Sequence, residues 1–277
     1  MLKKKMIMEK ALDLFAKQGF EATSVQQITD YCGISKGAFY LSFKSKDELI
    51  LGIIDYFMEQ ITSDIDYIVK GTSDEEDILY LYYHAMFDSF YKHSDFAKIF
   101  IKEQMQSVNK ELIGKFHYYD SLMDKSILAL IERLYGEEVE HIKYDLVYCV
   151  KGLANVYSTL FLFNDVPLDV NLLSRSLVEK TNILAKHTTV PFVSQEHLQM
   201  FHQPMTEEVT KESILEMLEQ IIDEMEESIE KESLILLKEQ LLERTLSPAI
   251  VRGLLENIRN HSHCKWISYL LRQHFEI

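Results

Sequence analysis

Gly19-Phe20-Glu21-Ala22-Thr23-Ser24-Val25-Gln26-Gln27-Ile28-Thr29-Asp30-Tyr31-Cys32-Gly33-Ile34-Ser35-Lys36-Gly37-Ala38-Phe39-Tyr40-Leu41-Ser42-Phe43 is punctuated as two short helices joined by a glycine turn. Ser24 followed three residues later by Gln27 is a capping box, and Val25, Ile28 and Cys32 give the helix behind it one apolar face. Gly33 supplies the turn, Ile34 a plug for the core, and Ser35 a new N-cap for a helix over roughly residues 36–42. A helix that short is unstable alone, so Phe39 and Phe43 at i, i+4 must pack inward, which turns Lys36 and Tyr40 outward. Upstream, Ile7, Ala11, Leu14 and Phe15 keep the spacing of a buried helical face from about Lys3 to Gln18, and Gly19 stands where a helix-ending glycine belongs. A three-helix unit ending in a helix-turn-helix is expected over residues 1–46.

Ser45-Lys46-Asp47-Glu48 is a further capping box, opening a long amphipathic helix through Leu49, Ile50, Ile53, Ile54, Phe57 and Ile61 as far as Gly71. Helical patterns recur over 75–100, a stretch crowded with Tyr80, Tyr82, Tyr83, Phe87, Phe90, Tyr91, Phe96 and Phe100, and then over about 109–135, 139–163 and 169–186. Residues 187–205, with Pro191 and Pro204, read as a linker or draped loop. Beyond it, Ile214, Leu218, Ile221, Met225 and Ile229 fall on one face of an acidic helix. Ser247-Pro248 opens another, and Trp266 to Phe275 a last one. Alternating strand patterns are missing, so the fold class is all-α: a helix-turn-helix unit over 1–46, a helical body over 47–190, and a linker with a helical extension over 191–277.

The 277 residues carry a net charge of −15, yet residues 1–50 hold 8 Lys against 6 Asp and Glu, leaving −17 for the rest. A basic head on an acidic body suits contact with a polyanion through the head alone. The basic start Lys3-Lys4-Lys5 lacks an apolar stretch behind it, and the uncharged run from Gly152 to Asn164 is too short to cross a bilayer, so a cytoplasmic protein without a membrane partner is expected. Cys32, Cys149 and Cys264 are widely spaced and odd in number, which suits neither a disulfide framework nor a zinc module. His261-Ser262-His263-Cys264 lacks a matching ligand pair, and phosphate loops, nucleophile elbows and His-Glu-x-x-His motifs are missing, so neither a metal, a cofactor nor an enzyme activity is expected.

The quoted stretch, continued through Lys44-Ser45-Lys46-Asp47-Glu48-Leu49, resembles the tetracycline-repressor (TetR) family over the first 50 or so residues. The resemblance implies a regulator that binds double-stranded operator DNA as a homodimer. On that footing Ser35, Lys36, Gly37, Ala38 and Tyr40 face the major groove, where Gly37 and Ala38 let the backbone approach and Ala38 can meet a thymine methyl. Thr23, Ser24, Tyr40, Lys44 and Lys46 are candidates for phosphate contacts, with capping of the second helix an alternative for Thr23 and Ser24. Leu41 departs from the family, where histidine is common.

The same resemblance implies that helices four to seven enclose a small-molecule effector and that the helices over 139–163 and 169–186 pair two protomers as a four-helix bundle. Leu146, Val150, Leu153, Val156, Tyr157 and Leu160 would form the pairing stripe, with Gly152 and Ala154 allowing close approach. Tyr83, His84, Phe87, Phe100, His117, Tyr118 and Tyr157 are candidates to touch an apolar or aromatic effector, and the region lacks a cationic cluster that would suit a strongly anionic one. The family's body ends near residue 190. The extension beyond it leaves open a second reading, a DNA-binding regulator controlled by a protein partner.

Overall fold

Ser24 and Ser35 cap the helices that their spacing calls for. In the computed structural model, which describes residues 2–71, 77–99, 110–162, 169–201 and 209–277, helices α1 (Leu2–Gln18), α2 (Val25–Cys32) and α3 (Lys36–Tyr40) form the head. Ser24 Oγ accepts from the Gln27 N–H at 3.2 Å and Gln27 Oε1 accepts from the Ser24 N–H at 2.8 Å, so both halves of the capping box are made. Gly33 ends α2 at φ 67°, a left-handed conformation that favours glycine, and Ser35 Oγ starts α3 by accepting from the Ala38 N–H at 3.1 Å. Phe39 and Phe43 are buried with Ile7, Ala11, Phe15 and Ile28. Each such aromatic contributes about 1.5–3 kcal/mol, enough to hold a helix that has little intrinsic stability.

Helix α4 (Lys46–Gly71) runs from the head into the body. Ser45 Oγ accepts from the Glu48 N–H at 3.0 Å, but the Glu48 carboxylate turns to the Lys44 N–H, one residue before the partner a capping box would use. At Gly52 the helix lies so close to the head that a Cβ would come within 3.2 Å of Phe43 Cε1 and 3.8 Å of Met8 Sδ. The body adds α5 (Ile78–Lys92), α6 (described over 94–99), α7 (Lys110–Tyr135), α8 (Lys143–Leu162), α9 (Val170–His187) and α10 (Gln195–Phe201). In it α4 packs on α5 and α7, α7 on α8, and α5 on both α8 and α9. Among the described residues there is no strand.

The stretch read as a linker or draped loop is held on the body at residues 192 and 193. The Phe192 and Val193 N–H groups both donate to an Asp145 carboxylate oxygen of α8, at 2.7 and 3.0 Å, and Leu198 of α10 is buried. Charge-assisted bonds to two consecutive backbone groups fix the chain despite Pro191. The chain divides into compact units Met1–Thr206 and Glu207–Ile277.

The second unit holds α11 (Lys211–Glu224), α12 (Ile229–Leu242), α13 (Pro248–Arg259) and α14 (Lys265–Phe275) around Leu218, Leu234, Leu237, Leu255, Ile258 and Leu271. The single acidic face expected from Ile214 to Ile229 is interrupted. Ser228 caps α12 by accepting from the Lys231 N–H at 3.2 Å, while Lys231 Nζ donates to the Met225 carbonyl at 3.0 Å just past the end of α11. A cap and a cation at the helix end satisfy backbone groups that a continuous helix would pair internally.

Candidate functional site

The outer face of α3 is open and low. Lys36 and Gly37 are exposed, Ala38 is half-buried, and a Cβ at Gly37 would meet nothing nearer than Ser35 Oγ at 3.8 Å. Tyr40 is 52% exposed and Leu41 88%, which adds an apolar group to the face at the position where the sequence departs from the family. Ser24, Ser35 and Lys44 are exposed around it.

Two candidate phosphate contacts are engaged in holding the head together. Thr23 is buried, with Oγ1 donating to the Gly19 carbonyl at 2.7 Å and accepting from Gln18 Nε2 at 3.1 Å. Lys46 Nζ donates to the Phe20 carbonyl at 2.7 Å and lies 4.2 Å from the centre of the Phe20 ring. The turn after α1 leaves carbonyls that α1 itself cannot pair, and these two side chains bind them, tying the turn to α4. Ser24 is the cap of α2, as the alternative reading held, and it remains exposed.

In the body, a cavity of about 310 Å³ lies between α4, α5, α7 and α8. Met58 and Ile61 of α4, Tyr82 and Met86 of α5, Phe116, Tyr119, Met123 and Ile127 of α7, and Ala154 of α8 form its apolar wall. Asp120, Lys151, Asn155 and Ser158 add polar groups. Lys151 Nζ sits 2.8 Å from Asp120 Oδ1 and 2.6 Å from the buried Asp124 Oδ1. Burial opposes the charge on Lys151, but the two carboxylates outweigh it and hold the pKa above its ordinary value. The Tyr82 hydroxyl is fully buried without a hydrogen-bond partner, and burial holds the phenol well above its ordinary pKa.

A polar node joins the cavity wall to α4. Asp55 of α4 accepts from Lys115 Nζ at 2.7 and 2.6 Å and from the hydroxyl of Tyr119, a cavity residue, at 3.0 Å. One turn along α4, burial and the charge of Asp55 push Glu59 up to about 8, with Lys115 opposing. Burial pushes Tyr118 beside it up to about 12.

The cavity is in the expected part of the chain, but the residues expected to line it do not. Tyr83 is buried with its hydroxyl 2.8 Å from Thr181 Oγ1 of α9, and its ring stacks on Phe87. His84 lies beside Tyr80, His117 is exposed, Tyr118 abuts Tyr119, and Tyr157 faces Lys180. Phe100 lies outside the described residues. A helix turns about 100° per residue, so Tyr82 and Tyr119 face the cavity while Tyr83 and Tyr118 point elsewhere. Aromatic crowding marks the region but not the phase. Lys151 and Asp120 had no motif to reveal them, because their pairing joins two helices.

The expected pairing stripe on α8 also divides. Leu146, Val150 and Ala154 are buried within the protomer, and Leu153 and Tyr157 are half-buried. Val156 and Leu160 are 65% and 49% exposed, with Leu172 and Ile183 of α9 at 66% and 53%. A Cβ at Gly152 would meet only open space.

Helices throughout the described residues, a capped helix-turn-helix, an open α3 face and a cavity reached by the helix behind the head have the form of a helix-turn-helix regulator. The family described as "Bacterial regulatory proteins, tetR family" matches residues 7–53. The HTH-type transcriptional regulator YerO of Bacillus subtilis is 31% identical over 187 residues, 66% of this chain and 65% of YerO. The HTH-type transcriptional regulator YuxN of the same organism is 26% identical over 98% of each chain, so its likeness takes in the extension. The fatty acid degradation regulator FadR from Bacillus halodurans has the same fold, with a TM-score of 0.53 at 20% identity over 67% of this chain and 99% of FadR. Residues 7–53 thus match the DNA-binding segment of the tetR family, and the chain is similar to HTH-type regulators beyond that segment. Among the described residues, no helix is long and apolar enough to cross a membrane, and no group of three or more His, Cys, Asp or Glu could hold a metal ion.

Proposed function

We propose that this chain is a DNA-binding transcriptional repressor that a small, apolar or aromatic effector releases from its operator, acting as a homodimer. The observation that carries the reading is α4. This helix of 26 residues, about 39 Å long, starts at Lys46 against the head and lines the cavity with Met58 and Ile61. A ligand that moves Tyr119 or Ile61 acts on the helix that carries the head, and a small tilt alters the separation of two recognition helices set about one DNA turn apart, roughly 34–36 Å. The FadR of Bacillus halodurans, a fatty acid degradation regulator, shares the fold, and the methionine and isoleucine wall of the cavity suits an apolar effector. Phosphate contacts from Ser24, Tyr40 and Lys44 and groove contacts from Lys36, Gly37 and Ala38 complete the reading.

Operator duplexes selected from a random pool allow the test. Calorimetry of an effector with and without duplex should give affinities that differ by more than a hundredfold, equivalent to about 3 kcal/mol of coupling, and by the same factor in either order of addition. Equal affinities would disprove control through the cavity. A second reading, control by a protein partner, is favoured by the extension, which has its own core yet leaves Ile229, Leu242 and Ile250 exposed. It predicts operator binding that responds to the partner and to no cavity ligand.

A further inference from the structure

The turn between α13 and α14 collects soft donor atoms from two separate parts of the chain. We propose that Cys264, His261 and Met225 form a binding site for a soft monovalent metal ion, Cu(I) or its analogue Ag(I). Cys264 Sγ lies 3.4 Å from His261 Nδ1 and 4.0 Å from Met225 Sδ. Two ligands held about 2.0–2.3 Å from one ion at trigonal or tetrahedral angles stand about 3.5–4.0 Å apart, and the two separations are of that size. The His263 N–H donates to the same His261 nitrogen at 3.4 Å, so Nδ1 is the unprotonated nitrogen and holds the lone pair that a metal needs.

Local and tertiary structure share in the assembly. The Cys264 N–H donates to the His261 carbonyl at 2.9 Å, a turn that sets the imidazole beside the thiol. Met225 stands just past the end of α11, which packs on α14. Its N–H donates to the Ile221 carbonyl at 3.1 Å and its carbonyl accepts from Lys231 Nζ at 3.0 Å, so the backbone that carries the thioether is held on both sides. Spacing left His261-Ser262-His263-Cys264 without a matching ligand pair, because the third donor is a thioether brought by another helix. Cys264 is buried, whereas His261 and Met225 are half-buried and give an ion a way in from the surface. One thiolate, one thioether and one imidazole suit a soft ion. Structural Zn(II) takes four ligands, and with a single thiolate it would leave a positive charge in the core, whereas Cu(I) and a thiolate sum to zero. Binding exchanges a proton for the ion: the S–H bond breaks, a sulfur–metal bond forms, the proton passes to solvent, and no oxidation state changes.

The full chain with Cys32→Ser and Cys149→Ser keeps Cys264 as its one thiol, and anaerobic titration with Cu(I) against the chromogenic chelator bicinchoninate reads the site. One ion per chain should be taken up with release of one proton, and the melting temperature should rise, since the ion binds the folded form. Met225→Leu keeps the apolar bulk and His261→Gln keeps a polar side chain. Each should weaken Cu(I) by at least the roughly tenfold that losing a mere supporting partner of a ligand costs, with little change in melting of the metal-free protein. Cys264→Ser should abolish uptake, but the other two variants decide the assignment, because replacing the buried Cys264 also disturbs the core. Ag(I) should displace Cu(I), and Zn(II) should not. No uptake by the parent, undiminished uptake by either Met225→Leu or His261→Gln, or Zn(II) binding as tight as Cu(I) would each overturn the proposal.

Discussion

Tyr40 and Lys46 were candidates for one task, and their surroundings assign them different ones. The exposed Tyr40 side chain is available to a phosphate, so Tyr40→Ala should weaken operator and non-operator duplexes alike in mobility-shift titrations, with little change in melting temperature. Lys46 holds the Phe20 carbonyl, so Lys46→Ala should in addition destabilise the protein by about 1–2 kcal/mol, seen as an earlier urea midpoint. Glu59 offers a test by pH. Its folded pKa of about 8 lies above the ordinary 4.5, so its contribution is complete below pH 4.5 and is lost as pH rises through about 8. Glu59→Gln removes the titration. Relative to the parent, its stability should rise between pH 5 and 8.5 by about 1–3 kcal/mol, and a difference independent of pH would show that Glu59 ionises normally.

At the scale of elements, α4 is bound to the cavity wall through one carboxylate. Asp55 receives both Lys115 and Tyr119 from α7, so a ligand that displaces Tyr119 disturbs the hold on α4 directly. Tyr119→Phe keeps the ring in the cavity wall but removes its bond to Asp55. The effector should still bind, while its effect on operator affinity falls by about 0.5–2 kcal/mol of coupling, measured by paired titrations with and without duplex. Unaltered coupling would transfer the task to the apolar contacts of Met58 and Ile61.

At the scale of the molecule, exposed Val156, Leu160, Leu172 and Ile183 gather on α8 and α9, the helices that the family resemblance assigned to pairing. One recognition helix as short as α3 reads few base pairs, and a two-fold pair doubles the site. Light scattering of the parent should give a dimer at micromolar concentration. Val156→Glu with Leu160→Glu should give a folded monomer whose operator affinity is lower by orders of magnitude, since each carboxylate would be buried against its symmetry mate. A parent monomer with full operator affinity would exclude pairing as the source of specificity.

The sequence by itself determined what local physics determines: the caps at Ser24 and Ser35, the left-handed turn at Gly33, the inward Phe39 and Phe43, and the succession of helices from their apolar spacing. These depend on neighbours within about four residues, which the sequence displays directly. Tertiary structure decided matters that require two elements at once. It turned Thr23 and Lys46 toward backbone carbonyls, selected Tyr82 and Tyr119 over Tyr83 and Tyr118 for the cavity, and set Lys151 of α8 between two aspartates of α7. It also held residues 192 and 193 on Asp145 and broke the acidic helix at Ser228. Spacing along a helix tells which residues share a face, whereas only packing tells what that face meets. A phase difference of one residue, about 100°, is enough to move a side chain from a cavity wall to a helix interface.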